Sequence, residues 1–199
     1  VNATGVLLHT NLGRAPWEGV PGTGATRYSN LEMDLDTGLR GSRQDRAPRL
    51  LARACGAESA IVVNNCASAV MLALAALAAG RGVVISRGEL VEIGGSFRIP
   101  AIMERSGVIL KEVGTTNKTK ISDYREAIDQ DTALILRVHP SNYKIVGFTH
   151  RPKLSELVEL SRESKIPLVE DAGSGLLFSS SHPFLREEPS VQSVLAEGV

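Results

Sequence analysis

Cysteine and aromatic residues are scarce in this chain, and neither sign of charge is in excess. Two cysteines, Cys55 and Cys66, are too few for a disulfide framework, so we expect a reducing compartment such as the cytoplasm. The 22 basic and 22 acidic residues cancel, so no overall field favours a nucleic acid or an anionic membrane. The 4 histidines are scattered, and this spacing argues against a metal site.

Long hydrophobic runs are absent as well. The longest stretch of small and apolar residues, 67–79, is too short and too rich in alanine to cross a bilayer, so we expect no membrane partner. With 199 residues, of which 43% are hydrophobic, the chain is still long enough to bury a sizeable core.

Short apolar runs that alternate with amphipathic stretches are what the chain does contain. They predict strands at 61–63, 83–85, 109–113, 133–138 and 167–170, and helices near 67–79, 93–105, 122–128, 154–164 and 190–197. This order predicts an α/β fold with a mostly parallel sheet and helices on both faces. Residues 1–50, rich in glycine, arginine and turn formers, are interpreted as an irregular arm, and 51–199 as the domain that holds the sheet.

A polar segment follows the first of these strands at its carboxyl end, where parallel sheets hold ligands. Asn65, Cys66, Ala67 and Ser68 stand between this strand and the next helix. The unpaired N–H groups at a helix start, together with the helix dipole, suit a phosphate group. An ordinary helix cap by Asn65 or Ser68 is the alternative interpretation.

Two later strands end in polar residues that complement such a phosphate site. Asp171 could pair with a protonated pyridine nitrogen and keep the ring electron-withdrawing, although it could also form a turn. Glu170 is a rival carboxylate, because adjacent strand residues point to opposite faces. After 133–138, Asn142 could donate to a ring oxygen and His139 could stack or hydrogen-bond nearby, with a proline turn as the alternative. Together these residues suit a phosphorylated heteroaromatic cofactor.

Two further segments are unusual. Arg40-Gly41-Ser42-Arg43 in the arm has the composition of an anion clamp, because arginine binds oxyanions through two parallel hydrogen bonds. A solvated surface is the alternative for these arginines. Residues 88–100 contain a Gly-Gly pair, which implies close approach of the backbone to another group. A solvated charged face is the alternative for this segment, because two glutamates and an arginine flank its apolar residues.

These motifs resemble those of the bacterial selenocysteine synthase family, the L-seryl-tRNA(Sec) selenium transferases. The resemblance rests on His9-Thr10-Asn11-Leu12-Gly13-Arg14-Ala15-Pro16, Arg40-Gly41-Ser42-Arg43, residues 88–100 and Gly114-Thr115-Thr116-Asn117. It runs nearly from end to end. Residues 88–100 are its most specific part, whereas the segments at the strand ends are shared with the wider group of fold-type I pyridoxal phosphate enzymes.

The resemblance implies a partial fold-type I large domain that binds pyridoxal 5'-phosphate. The implied substrates are seryl-tRNA(Sec) and selenophosphate, and the implied assembly is a large homo-oligomer, typically a decamer. Matching motifs give the cofactor phosphate to Asn65, Cys66 and Ala67, the ring nitrogen to Asp171, the ring oxygen to Asn142, and the selenophosphate oxyanion to Arg14, with Arg40 or Arg43 as further candidates.

The sequence departs from the family pattern in three respects. Cys66 stands where the family usually has asparagine, and the stretch 16–28 is shorter than usual. The family's Schiff-base lysine, in a Ser-Gly-Asp-Lys segment, would come after Val199, and Lys144 and Lys165 stand in other contexts. A small tRNA-binding domain normally precedes the matched region and a C-terminal domain follows it.

We therefore expect a fragment without these parts, inactive as a transferase by itself and without a lysine joined covalently to the cofactor. Two alternatives remain open. One is another fold-type I lyase acting on a small amino acid, and the other is a non-catalytic remnant.

Overall fold

The computed structural model describes residues 3–4, 28–93, 97–141, 143–173 and 175–199. Contacts divide the chain into two compact units, Val1–Arg53 with Glu58–Val62, and Ala54–Ala57 with Val63–Val199. The helices are α1 (Arg46–Cys55), α2 (Cys66–Ala78), α3 (Ile99–Arg105), α4 (Ile121–Ala127), α5 (Leu154–Ser164) and α6 (Val191–Glu197). The strands are β1 (Gly82–Ser86), β2 (Glu92–Ile93), β3 (Phe97–Arg98), β4 (Ile109–Val113), β5 (Thr132–Val138) and β6 (Leu168–Asp171).

Four parallel strands in the order β4-β1-β5-β6 form the main sheet of the second unit. Every residue of β1 is buried, and β5 is buried except at Arg137, as expected for strands covered on both faces. The chain runs outward from β1 to β4 and later from β5 to β6, so the strand order reverses between β1 and β5. Open parallel sheets bind ligands beyond the carboxyl ends of the strands at such a reversal.

Helices cover both faces of this sheet, which confirms the predicted α/β class. On one face, Leu74 of α2 and Met103 of α3 are fully buried against β1 and β5. On the other face, Tyr124 of α4 and Leu157 of α5 pack against the sheet in a second cluster that includes Val194 of α6. The two apolar clusters fix the sheet between its helices.

Several predicted elements differ from the observed ones. Residues 61–63 form no strand, since an extended segment becomes one only when another strand pairs with it. Instead the side chain of Gln44 donates to the Val62 carbonyl oxygen at 3.0 Å and accepts from the Val62 N–H at 3.3 Å.

The predicted helix over 93–105 begins only at Ile99. The two-residue strands β2 and β3 pair before it in an antiparallel hairpin, and Pro100 lies in the first turn of the helix, a position that suits proline. Helix α1 begins inside the segment interpreted as an irregular arm.

No helix in the part of the chain that the structure describes is long and apolar enough to span a membrane. Among the same residues, no group of His, Cys, Asp and Glu side chains is arranged to hold a metal ion.

Candidate functional site

Asp171 is the last residue of β6 and lies at the carboxyl edge of the sheet, where its side chain is buried. Its Oδ1 atom accepts a hydrogen bond from the Gly173 N–H at 3.1 Å and one from the Cys66 thiol at 3.3 Å. On the backbone, the His139 N–H donates to the Asp171 carbonyl oxygen at 2.9 Å. The carboxylate is thus held by neutral donors, and none of these contacts neutralises its charge.

Helix α2 begins at this carboxylate. Asn65 caps the helix in an extended conformation, and its side-chain oxygen accepts from the Ser68 N–H at 2.9 Å. Cys66 is the first helical residue, so its contact with Asp171 brings the helix start and the strand end together. The dipole of α2 therefore places partial positive charge beside a buried carboxylate.

Two of the residues predicted to contact the phosphate take part in this cap. Asn65 was predicted to contact a phosphate, and the structure uses its side chain for the cap that the sequence offered as the alternative. The Ser68 N–H is taken up by this cap. The first-turn N–H groups of an α-helix point outward at its start, and at this edge they belong to the segment that begins with Cys66 and Ala67.

Glu170, the rival carboxylate, points to the other face of the sheet. It accepts from Arg137 Nη1 at 2.6 Å, and its side chain is 3% exposed. The pair is joined through one atom of each group, because Glu170 Oε2 and Arg137 Nε are buried and have no hydrogen-bond partner among the described residues. Burial raises the pKa of Glu170 more than the guanidinium lowers it. Asp171 is therefore the carboxylate on the α2 side.

His139 lies next to this edge but is engaged elsewhere. Its Nε2 atom is 3.2 Å from the carboxylate of Glu188, and both side chains are largely buried. Asn142 lies outside the described residues, as does Arg14. The neighbouring Tyr143 donates its hydroxyl hydrogen to the Gly88 carbonyl oxygen at 2.8 Å, which ties the segment after β5 to the turn after β1.

The predicted anion clamp belongs to the first unit and binds an internal carboxylate. Glu32 Oε1 accepts from Arg43 Nε at 2.8 Å and from Arg40 Nη2 at 3.5 Å, all three side chains being accessible to solvent. The hydrogen bond from Arg43 lowers the pKa of Glu32. An oxyanion that used Arg40 and Arg43 would therefore compete with Glu32.

Two charged residues that the sequence analysis did not single out lie at the same edge of the sheet. Glu89 Oε1 accepts from Arg151 Nε at 2.7 Å, and Glu89 Oε2 accepts from the Val138 N–H at 3.0 Å. Arg151 Nη2 donates to the Val138 carbonyl oxygen at 2.9 Å. Burial raises the pKa of Glu89 against the opposing effect of Arg151. The unusual segment 88–100 was the available signal for Glu89, whereas nothing in the sequence pointed to Arg151.

A model of the L-seryl-tRNA selenium transferase family matches residues 1–199. The chain belongs to this family. It is 58% identical over 203 residues to the L-seryl-tRNA(Sec) selenium transferase of Carboxydothermus hydrogenoformans and 54% identical over 204 residues to that of Hyphomonas neptunium. Each match covers 100% of this chain and 44% of the relative, so the chain spans less than half the length of these family members.

A solved structure supports the fold assignment independently. The structure of D-glucosaminate-6-phosphate ammonia-lyase superposes with a TM-score of 0.60 at 18% sequence identity, covering 76% of this chain and 41% of that chain. At this identity the likeness shows a shared fold. The predicted selenium transferase family and the predicted fold class are both confirmed.

Proposed function

We propose that this chain is the cofactor-binding part of an L-seryl-tRNA(Sec) selenium transferase, which uses pyridoxal 5'-phosphate and selenophosphate to convert seryl-tRNA(Sec) to selenocysteyl-tRNA(Sec). Family membership supports the reaction class. The contact between Cys66, which begins α2, and Asp171, which ends β6, is the observation that carries the cofactor assignment. It joins an anion-binding helix start and a buried carboxylate in one site.

The residues at this edge fit the cofactor. A buried carboxylate whose hydrogen bonds within the described residues come from neutral groups is costly, and a protonated ring nitrogen would compensate its charge. The start of α2, through the N–H groups of Cys66 and Ala67, would hold the phosphate. When bound, pyridoxal phosphate supplies an electron-withdrawing ring that stabilises negative charge on the carbon beside the substrate amine. Asp171 serves that chemistry by keeping the ring nitrogen protonated.

The remaining residues are assigned by the family motifs. Asn142 would bind the ring oxygen, and His139 would lie beside the ring, with Glu188 orienting its imidazole. Arg14 binds the selenophosphate oxyanion, with Arg40 and Arg43 as further candidates once Glu32 releases them. We also propose that the complete enzyme is a homo-oligomer, a decamer by resemblance to its family, and works in the cytoplasm.

The proposal includes the division of the chain into an arm and a cofactor-binding domain. Residues 1–50 are the arm of the large domain, and 51–199 are an incomplete cofactor-binding domain. None of the 6 lysines of the chain stands in a Ser-Gly-Asp-Lys segment, so we propose that this stretch binds the cofactor without a covalent bond.

Titration of the chain with pyridoxal phosphate, followed by its absorbance, tests the cofactor assignment. We expect Asp171→Asn to weaken binding roughly tenfold to hundredfold, because a charge-assisted hydrogen bond is lost. Asp131→Asn is the matched control, since Asp131 is exposed and precedes β5 at the opposite edge of the sheet.

Alkylation of Cys66 gives a second readout, because Cys66 is exposed and Cys55 is buried. Bound pyridoxal phosphate should slow the reaction of Cys66 with iodoacetamide, and pyridoxal without phosphate should not. Equal affinities of the two aspartate variants, together with an unchanged alkylation rate, would refute the cofactor assignment.

A further inference from the structure

Val138, the last residue of β5, has a ring of side-chain hydrogen bonds on its β1 side. The ring runs from the Val138 N–H to Glu89, from Glu89 to Arg151 and from Arg151 back to the Val138 carbonyl oxygen. Glu89 offers an acceptor and Arg151 a donor, which are the groups that a neighbouring strand would present to this residue. Two side chains thus take the place of a strand.

The ring is needed because β1 and β5 separate before they end. Their ladder runs from Gly82↔Thr132 to Val84↔Ile135, whereas β5 continues to Val138. Without a partner, the buried N–H and carbonyl groups of Val138 would each cost the free energy of a lost hydrogen bond. With the ring in place, the strands can remain apart at the point where the strand order reverses.

On its other side, Val138 is paired with Asp171. The register of β5 and β6 places Arg137 opposite Glu170 and Val138 opposite Asp171. The first of these pairs is fixed by the Arg137–Glu170 ion pair, and the His139 N–H continues the ladder to the Asp171 carbonyl oxygen. The position of Val138 therefore determines where the Asp171 backbone lies.

The turn that carries Glu89 is itself held on two sides. A Cβ atom at Gly88 would lie 2.7 Å from the Thr116 carbonyl oxygen, so only glycine fits there without a backbone shift. From the other side, the Tyr143 hydroxyl group donates to the Gly88 carbonyl oxygen. The backbone that carries Glu89 is therefore held in place, and a residue that positions another one needs such a fixed backbone.

We propose that Glu89 and Arg151 are positioning residues for the Asp171 carboxylate. Their hydrogen bonds to the Val138 N–H and carbonyl groups, called the bracket below, hold the end of β5 and, through it, the end of β6. The identity of the group that Asp171 then receives rests on the proposed function above. The bracket itself rests only on the contacts of Glu89, Arg151 and Val138.

Amide hydrogen exchange tests the bracket without any ligand. The Gly173 N–H donates to Asp171 Oδ1, so its exchange rate reports the orientation of the Asp171 side chain. A change at this amide in a Glu89 variant would therefore have to be transmitted through Asp171. In Glu89→Gln, which loses the charge facing Arg151, we expect exchange at Val138, His139 and Gly173 to accelerate by about tenfold or more, the equivalent of one hydrogen bond.

Glu92→Gln is the matched control, because Glu92 belongs to the same segment and pairs with Arg98 at an exposed site. Its exchange rates at those three amides should equal those of the parent chain. If Glu89→Gln fails to fold, Arg151→Lys replaces it, since a lysine keeps the charge but cannot donate to Glu89 and Val138 through one planar fork. Acceleration at Val138 alone, with Gly173 unchanged, would overturn the proposal.

Cofactor spectroscopy then separates positioning from local stability. We expect Glu89→Gln to bind pyridoxal phosphate about tenfold more weakly, and the bound ring to lose its proton at a lower pH than in the parent chain. A variant that is only less stable would keep the parent pH profile in its folded fraction, and that result would also overturn the proposal. Should the parent chain bind no pyridoxal phosphate, the proposed function fails, while the exchange experiment still decides the bracket.

Discussion

Glu170 and Asp171 are neighbours in β6 with opposite surroundings. Alternation along a strand sends Glu170 to the face that Arg137 occupies and Asp171 to the face where α2 begins. Glu170 gains a charged partner but loses nearly all contact with water, whereas Asp171 keeps polar neighbours at the edge of the sheet. The two carboxyl groups therefore offer different surroundings to a ligand, and Asp171 is the one that faces the start of α2.

Glu170→Gln should reduce the pH dependence of stability. Burial raises the pKa of Glu170 above its ordinary value of 4.5, so the folded protein holds this proton more tightly than the unfolded chain does. The stabilisation is complete below pH 4.5 and is lost as the pH rises through the raised value. A glutamine cannot lose a proton, so the variant's free energy of unfolding should fall less from pH 4.5 to neutral pH. Urea denaturation across this range measures the difference.

The control for this experiment is Glu163→Gln. Glu163 pairs with Arg125 at a site where both side chains are more than half exposed, so its removal should leave the slope unchanged. Parallel pH profiles for the parent chain and Glu170→Gln would show that burial of Glu170 does not control its titration.

At this residue scale, the sequence identified one kind of contact and missed another. Cys66 and Asp171 are 105 positions apart, yet both were assigned to one site, because each follows an apolar run that predicted a strand end. Residues 61–63 form no strand, and the start of α2 makes the contact instead. Glu89 and Arg151, 62 positions apart, carry no such signal. Arg151 lies in an irregular segment before α5, and only the separation of β1 from β5 gives it a role.

Helix α2 is the element on which the site depends most, and its sequence is unusual. It buries Val70, Leu74 and Ala78 but also exposes Leu72 and Leu77, so it is apolar on more than the face that packs on the sheet. Its start is fixed by polar chemistry, because the Asn65 side chain binds the Ser68 N–H. The cap therefore sets the position of the helix end that faces Asp171.

Replacing the cap should weaken the fold by a small and measurable amount. We expect Asn65→Ala to lower the free energy of unfolding by about 1 kcal/mol, because the Ser68 N–H loses its acceptor. Asn65→Asp keeps an acceptor and adds a negative charge at the positive end of the helix, so it should equal or exceed the parent stability. Urea denaturation distinguishes the variants, and equal losses in both would show that the cap contributes nothing.

Each element that was predicted wrongly has a physical explanation. Residues 61–63 have the apolar pattern of a strand, but a pattern predicts burial and gives no pairing partner. The strands β2 and β3 have two residues each, too few for their periodicity to be recognised, and β3 runs directly into α3. By contrast, β1, β4, β5 and β6 are apolar runs flanked by turns, and each was predicted to within two residues.

Two lysines of the sheet unit are held away from the proposed cofactor edge. Lys111 binds Asp129 and Thr132 at the amino ends of the strands, and Lys165 ends α5 just before β6 begins. Lys118 lies over the ring of Phe148, 4.6 Å from its centre. Parallel topology sends all four strands to one edge, so a lysine held at their amino ends cannot reach a ring bound at the other.

Treatment of the chain with pyridoxal phosphate and then borohydride tests this separation. We expect weak labelling spread over several lysines, because no lysine amine is held at the ring, and no single adduct of one label per chain. Mass spectrometry of the digested chain locates the labels.

Lys144 is the lysine most able to reach the proposed site, since it is exposed and follows Tyr143 in the segment after β5, and Lys144→Arg is the matched variant. Protection of Cys66 from iodoacetamide in the same sample shows that the cofactor is bound while no lysine reacts. A stoichiometric adduct on one lysine, lost in its arginine variant, would mean that this stretch of chain supplies its own covalent anchor, and the cofactor would then have to lie within reach of that amine.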